Sequence, residues 1–126
     1  MKTRITLAAL PPSVNHIYRH TCTGVYRTAA YNAWANGEIL RLKRQMENQL
    51  RWSTPVYVTA ALKRPRSNAD LDNRLKGIAD LMQSLGIISD DKLIHGWNCY
   101  WTESLPTGIA AEISITAADP FGVEAA

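Results

Sequence analysis

Thr3, Ile5 and Leu7 alternate with Lys2, Arg4 and Thr6. A period of two puts each set on its own face, so the chain is expected to open with a strand. "PPSVNHIYRHTCTG" follows. Its prolines and glycine read as a loop, and its length favours a functional one. "VYRT" reads as a short strand. From Ala29 to Trp52 the period lengthens. Tyr31, Ala35, Ile39, Leu42, Met46 and Leu50 recur at spacings of three and four, the stripe of an amphipathic helix. Thr28 is placed to cap it. Gly37 in its middle costs about 1 kcal/mol relative to alanine. The opposite face holds much of the basic charge.

Pro55 breaks the pattern. "VYVTAAL" reads as a strand with Val56, Val58 and Ala60 on one face, and "KRPRSNAD" as a polar loop. A second helix is expected from Asn73 to Leu85, with Leu75, Ile78, Ala79, Met82 and Leu85 as its stripe and Gly86 just past its end. "LIHGWNCYWTE" and "GIAAEISIT" read as two further strands, expected to pair as a hairpin. Residues from about 117 to 126 read as a loose tail. The order predicts an α/β (α+β) fold: a mixed β-sheet with two helices packed on one face, in a single compact domain over 1–126.

Composition changes this picture only a little. A chain of 126 residues with 46% hydrophobic content can bury a core without a structural metal or disulfide. The net charge of +3 is compatible with a polyanionic partner. Its distribution says more. Arg41, Lys43, Arg44 and Arg51 crowd one segment, Lys63, Arg64 and Arg66 another, and acidic residues gather between 70 and 91. Cys22 and Cys99 are distant and form no C-x-x-C, as expected of a reduced, intracellular chain. No apolar run approaches the roughly 20 residues of a membrane span, and Pro11-Pro12 interrupts the only leader-like stretch. A cytoplasmic protein with no membrane partner is expected.

The candidate chemistry lies in "NADLDNRLKG". If the segment is extended, Asp70 and Asp72 point the same way. Asp90-Asp91 follows the helix. For Asp91 to reach Asp70 and Asp72, "GIISDDK" must turn back alongside the helix, with Ile87 and Ile88 anchoring the return. Three converging carboxylates would need a proton or a hard divalent cation. Mg²⁺ takes oxygen ligands, keeps several waters and bridges to phosphate, where it activates water and stabilises a leaving oxygen. Lys76, one turn past Asp72, would neutralise phosphate charge or orient the water. The bland alternative is that Asp72 is an N-cap, Asp70 answers the helix dipole, and Lys76 pairs at i,i+4 with Asp72 or Asp80. Spacing alone leaves both readings open.

Other residues are weaker signals. His16, His20 and Cys22 have spacings a zinc site uses, but no fourth ligand is local. Asn15, Tyr18, Arg19 and His20 suit phosphate contacts or base stacking, or else a surface loop. Lys63, Arg64 and Arg66 lead into Asp70 and are placed to guide a phosphate backbone. Trp97 and Trp101 share strand parity and read as core or interface.

"PPSVNHIYRH" and "DLDNRLKGIADLMQSLGIISDDKLI", with the β-rich end, resemble the RusA family of Holliday junction resolvases over roughly Ile5 to Thr116. The resemblance implies a small homodimeric endonuclease that resolves four-way junction DNA by paired symmetric nicks with Mg²⁺, Mn²⁺ being an alternative ion. Such proteins serve DNA recombination and repair, often in phages and prophages. Asp70, Asp72 and Asp91 would hold the metal and Lys76 would be the essential lysine. Asn73 and Asp90 would support them, and Arg74 would join the DNA contacts. "KRPRSNAD" is a shorter basic run than family members can carry, which implies fewer phosphate contacts there. Two other functions compete: a nonenzymatic dimer that binds branched DNA, and an interaction module in which the acidic motif only caps a helix.

Overall fold

The computed structural model describes residues 1–13, 17–65 and 70–118. The first alternation forms β1, Lys2–Leu7, with Thr3, Ile5 and Leu7 buried. Part of the expected loop is a strand. β2, Tyr18–Thr21, pairs antiparallel with β3, Gly24–Arg27, as a separate two-stranded sheet. Arg19, His20 and Thr21 are all exposed, so β2 carries no apolar alternation to announce it. Backbone pairing to β3 makes it a strand.

Helix α1, Ala29–Gln45, starts where Thr28 accepts a hydrogen bond from the Tyr31 N–H, and it buries Tyr31, Ala35, Glu38 and Leu42. It stops seven residues before Trp52 (52 against 45). Asn48 takes a left-handed φ of 65°, which a continuing helix excludes. Leu50, the last member of the expected stripe, is accordingly exposed.

β4, Val56–Leu62, is followed by a 3₁₀ turn, Asp72–Arg74, that leads into α2, Leu75–Ser84. Gly86, at φ +71°, closes α2 by donating its N–H to the Gln83 carbonyl. A second 3₁₀ turn, Asp91–Leu93, leads into β5, Ile94–Trp101, and β6 is Ala111–Ala117. The main sheet has the order β1-β6-β4-β5. The expected β5–β6 hairpin does not form. β4 lies between them, parallel to β5 and antiparallel to β6. Alternation tells which face a residue takes, not which strand lies beside it.

Register places Val58, Ala60 and Leu62 of β4 level with Trp97, Cys99 and Trp101 of β5, and with Ile115, Ile113 and Ala111 of β6. These residues form or pack against the core, with Leu42 and Met46 from the α1 side and Ile78, Leu81 and Met82 from α2. The result is an α+β domain whose main sheet is mixed. Among the described residues, no helix is long and apolar enough to cross a membrane.

Candidate active site

The site is built on α2. Residues 76, 80 and 83, at spacings of four and three, share one side of this helix. Lys76 reaches Asp80 Oδ1 at 3.1 Å and Asp91 Oδ2 at 3.3 Å. The Asp91 N–H donates to Gln83 Oε1 at 3.0 Å. The chain after Gly86 therefore returns along α2. Its anchors are Ile87 and Ile88, both fully buried. Trp52 clamps that return: its N–H donates to the Ile87 carbonyl at 2.8 Å, and its carbonyl accepts from the Ser89 N–H at 3.0 Å.

The i,i+4 pairing of Lys76 with Asp80 is one the sequence offered; the burial of Asp80 is not. The apolar stripe puts it on the polar side of α2, yet it is only 6% exposed. A second layer covers that side. Tyr18 of β2 donates its hydroxyl to Asp80 Oδ2 at 2.7 Å, and Arg27 of β3 lies 3.9 Å from the same oxygen. The Arg27 guanidinium also lies over the Tyr31 ring, 4.9 Å from its centroid. The Asp80 hydrogen bond, reinforced by Asp91, holds the Lys76 ammonium above the usual lysine range against some burial. Burial first, then hydrogen bonding to Asp80, pushes the Tyr18 phenol up.

The two sequence motifs meet in space. Gly77 lies under Pro11, where an added Cβ would come within 2.6 Å of the proline Cβ. Arg74 Nη1 donates to the Pro11 carbonyl at 2.6 Å. Arg74 is thus half-buried in a structural bond. Tyr18, a candidate for DNA contact, packs against the core and donates its hydroxyl to Asp80. Arg19 and His20 remain exposed on the hairpin.

Asp70 and Asp72 are exposed, and Asp70 Oδ2 accepts from Asn73 Nδ2 at 3.3 Å. Neither is used as a helix cap: Leu71 precedes the 3₁₀ turn and Arg74 precedes α2, both without a side-chain capping bond. Lys76 pairs with Asp80 and Asp91, not with Asp72. Asp90 does cap: it accepts from the Lys92 N–H at 2.9 Å, which lowers its carboxyl below the usual range.

Among the described residues, no group of three or more His, Cys, Asp or Glu gathers closely enough to hold one ion. The return of the chain brings Asp91 to Lys76 without assembling a three-carboxylate cage among the described residues. Mg²⁺ asks for less, because one or two carboxylates suffice when water and phosphate oxygens complete its shell. The exposed, all-oxygen donors of Asp70 and Asp72 fit that chemistry, as does the 37%-exposed side chain of Asp91.

A shallow cleft lies at the β4 exit, lined by Leu10, Lys63, Arg64, Pro65, Arg74 and Ala110. Arg64 sits over the Trp101 ring, 5.4 Å from its centroid. Asn15, His16 and Arg66, and the tail beyond 118, lie outside the described residues.

Carboxylates beside a fixed ammonium, with a basic cleft in the same stretch of chain, define a site suited to phosphodiesters. The family model for endodeoxyribonuclease RusA matches residues 9–116. The chain belongs to the RusA endodeoxyribonuclease family, which implies a four-way DNA junction as substrate. No curated protein matches it closely enough to name a relative.

Proposed function

We propose that this chain is a Mg²⁺-dependent, structure-selective endonuclease that resolves Holliday junctions as a homodimer by paired symmetric nicks. The observation that carries this reading is the return of Asp91 to Lys76, 3.3 Å away, while Asp70 and Asp72 stay exposed and cap no helix. Asp70, Asp72 and Asp91 are the carboxylates that would hold the ion, one or two of them directly and the rest through water and phosphate oxygens; the ion would supply a polarised phosphoryl oxygen and an activated water. Lys76 offers a fixed positive charge to the phosphate as negative charge develops. Lys63 and Arg64 at the cleft, with Arg19 and His20 on the hairpin, supply backbone contacts that position DNA without reading its sequence. A two-fold dimer presents two identical sites to two strands of like polarity.

The test is a labelled synthetic four-way junction incubated with the purified chain, with and without Mg²⁺. Symmetric, metal-dependent nicks are expected. Asp70→Asn is expected to abolish cutting and keep the band shift. Lys76→Ala is expected to slow cutting by about 10²–10³-fold, the usual cost of losing one preorganised stabilising group. A metal-independent shift with no nicks from the wild type would replace this reading with that of a nonenzymatic junction binder.

A further inference from the structure

We propose that Asp80 is a positioning residue of the nuclease site, holding Lys76 in place from behind while Tyr18 and Arg27 of the hairpin fix Asp80 in turn. The inference rests on the nuclease reading above. Lysine carries its charge on a flexible four-carbon stem, so its ammonium needs an anchor to occupy one place. Two carboxylates hold it here, and they differ in kind. The Asp91 side chain is 37% exposed, and the reading above assigns it to the metal. The Asp80 side chain is 7% exposed, and both of its oxygens are engaged: Oδ1 by Lys76 at 3.1 Å, Oδ2 by Tyr18 at 2.7 Å with Arg27 at 3.9 Å. Asp80 is buried and its charge is already paired, so it suits an anchor better than a metal ligand.

A buried carboxylate costs stability unless donors satisfy it. An apolar residue would fill the same place on α2 without that cost, so the charge needs a reason. Lys76 supplies one. An ammonium has three N–H donors. One points to Asp80 and one to Asp91, which leaves one for a phosphate oxygen. The hairpin enters because Tyr18 and Arg27 are cross-strand partners and converge on one carboxylate. Tyr18 thus acts on Lys76 through Asp80, rather than on DNA.

Asp80→Asn keeps the shape and removes the charge. Junction affinity is expected to stay at the wild-type value while single-turnover cutting slows by about 10–10²-fold, the scale of a displaced catalytic group. The double variant Asp80→Asn, Lys76→Ala is expected to cut no more slowly than Lys76→Ala alone. Additive losses, or wild-type cutting by Asp80→Asn, would overturn the proposal. If Asp80→Asn does not fold, Tyr18→Phe carries the same test, with a smaller loss that vanishes in the Lys76→Ala background. A readout independent of cutting is the ¹H–¹⁵N signal of the ordered Lys76 ammonium, assigned by its absence in Lys76→Ala. It is expected in the wild type and lost in Asp80→Asn; its persistence there sinks the anchor. A wild-type chain that leaves junctions uncut overturns the nuclease reading, and the ammonium signal then decides the anchor by itself.

Discussion

A single methyl group at position 77 would push the two sequence motifs apart. The added Cβ would meet the Pro11 Cβ at 2.6 Å and the Pro11 Cγ at 3.1 Å, and a proline ring has little freedom to retreat. Gly77→Ala is expected to destabilise the protein by about 1–3 kcal/mol, the usual cost of overpacking. It should do so although alanine is the better helix former. Gly37 is the control: a Cβ there meets nothing within 4 Å. Gly37→Ala is expected to stabilise by about 0.5–1 kcal/mol. Urea unfolding of both variants checks the contrast, and equal shifts would show that Pro11 does not press on Gly77. At this scale sequence legibility was uneven. Asp70, Asp72, Lys76 and Asp91 stood out as charges at telling intervals. Asp80 was visible only as a helical neighbour of Lys76, because periodicity reports one packing face and α2 is covered on more than one.

β1 lies at an edge of the main sheet, and α1 with the turn after it closes that edge. Gln45 accepts from the Thr6 N–H at 2.7 Å and donates to the Thr6 carbonyl at 3.0 Å. Gln49 repeats the pattern at Arg4, at 2.7 Å each way, and Glu38 accepts from the Ala8 N–H at 3.0 Å. Two side-chain amides stand in for a neighbouring strand and cover an edge that would otherwise offer itself to other chains. Gln45→Ala together with Gln49→Ala is expected to cost about 1–3 kcal/mol from lost hydrogen bonds and to raise self-association. Denaturant melts and light scattering check both effects; an unchanged melt would mean that water replaces the amides at no cost. Element types were readable from period, and Thr28 and Gly86 marked a helix start and a helix end correctly. Strand order was not readable, since the short chain between β5 and β6 suggested a hairpin that β4 prevents. Nor was the end of α1, because Leu50 kept the helical spacing past a backbone that had already turned at Asn48.

One network joins hairpin, helix and the turn before β5 across the molecule. Tyr18 and Lys76 both have raised pKa values, the first chiefly through burial, the second chiefly through Asp80. In each case the folded state holds the proton more tightly than the unfolded chain does. The stability this contributes is complete below the ordinary values near 10 and is lost as pH rises through the raised folded values. Stability is therefore expected to fall above about pH 10, and to fall less steeply in Tyr18→Phe. Chemical unfolding followed by circular dichroism between neutral and alkaline pH measures this, and parallel profiles for the two proteins would remove Tyr18 from the linkage. Residues 9–116 match the family as one stretch, and contacts such as Arg74 to Pro11 show why the motifs need the chain between them.

The place of β6 has a consequence for how the protein is made. Its residues, 111–117, lie between β1 and β4 and pair with both. On the ribosome, β1 emerges first and finds its strand partner only when β6 follows, more than one hundred residues later: Lys2 pairs with Thr116. Such distant pairings are slow to form. Until then neither β1 nor β4 has the neighbour that joins them in the main sheet. A polypeptide released before Ala111 is thus not a trimmed domain but an unfinished one, because β1 and β4 both lack the strand that lies between them.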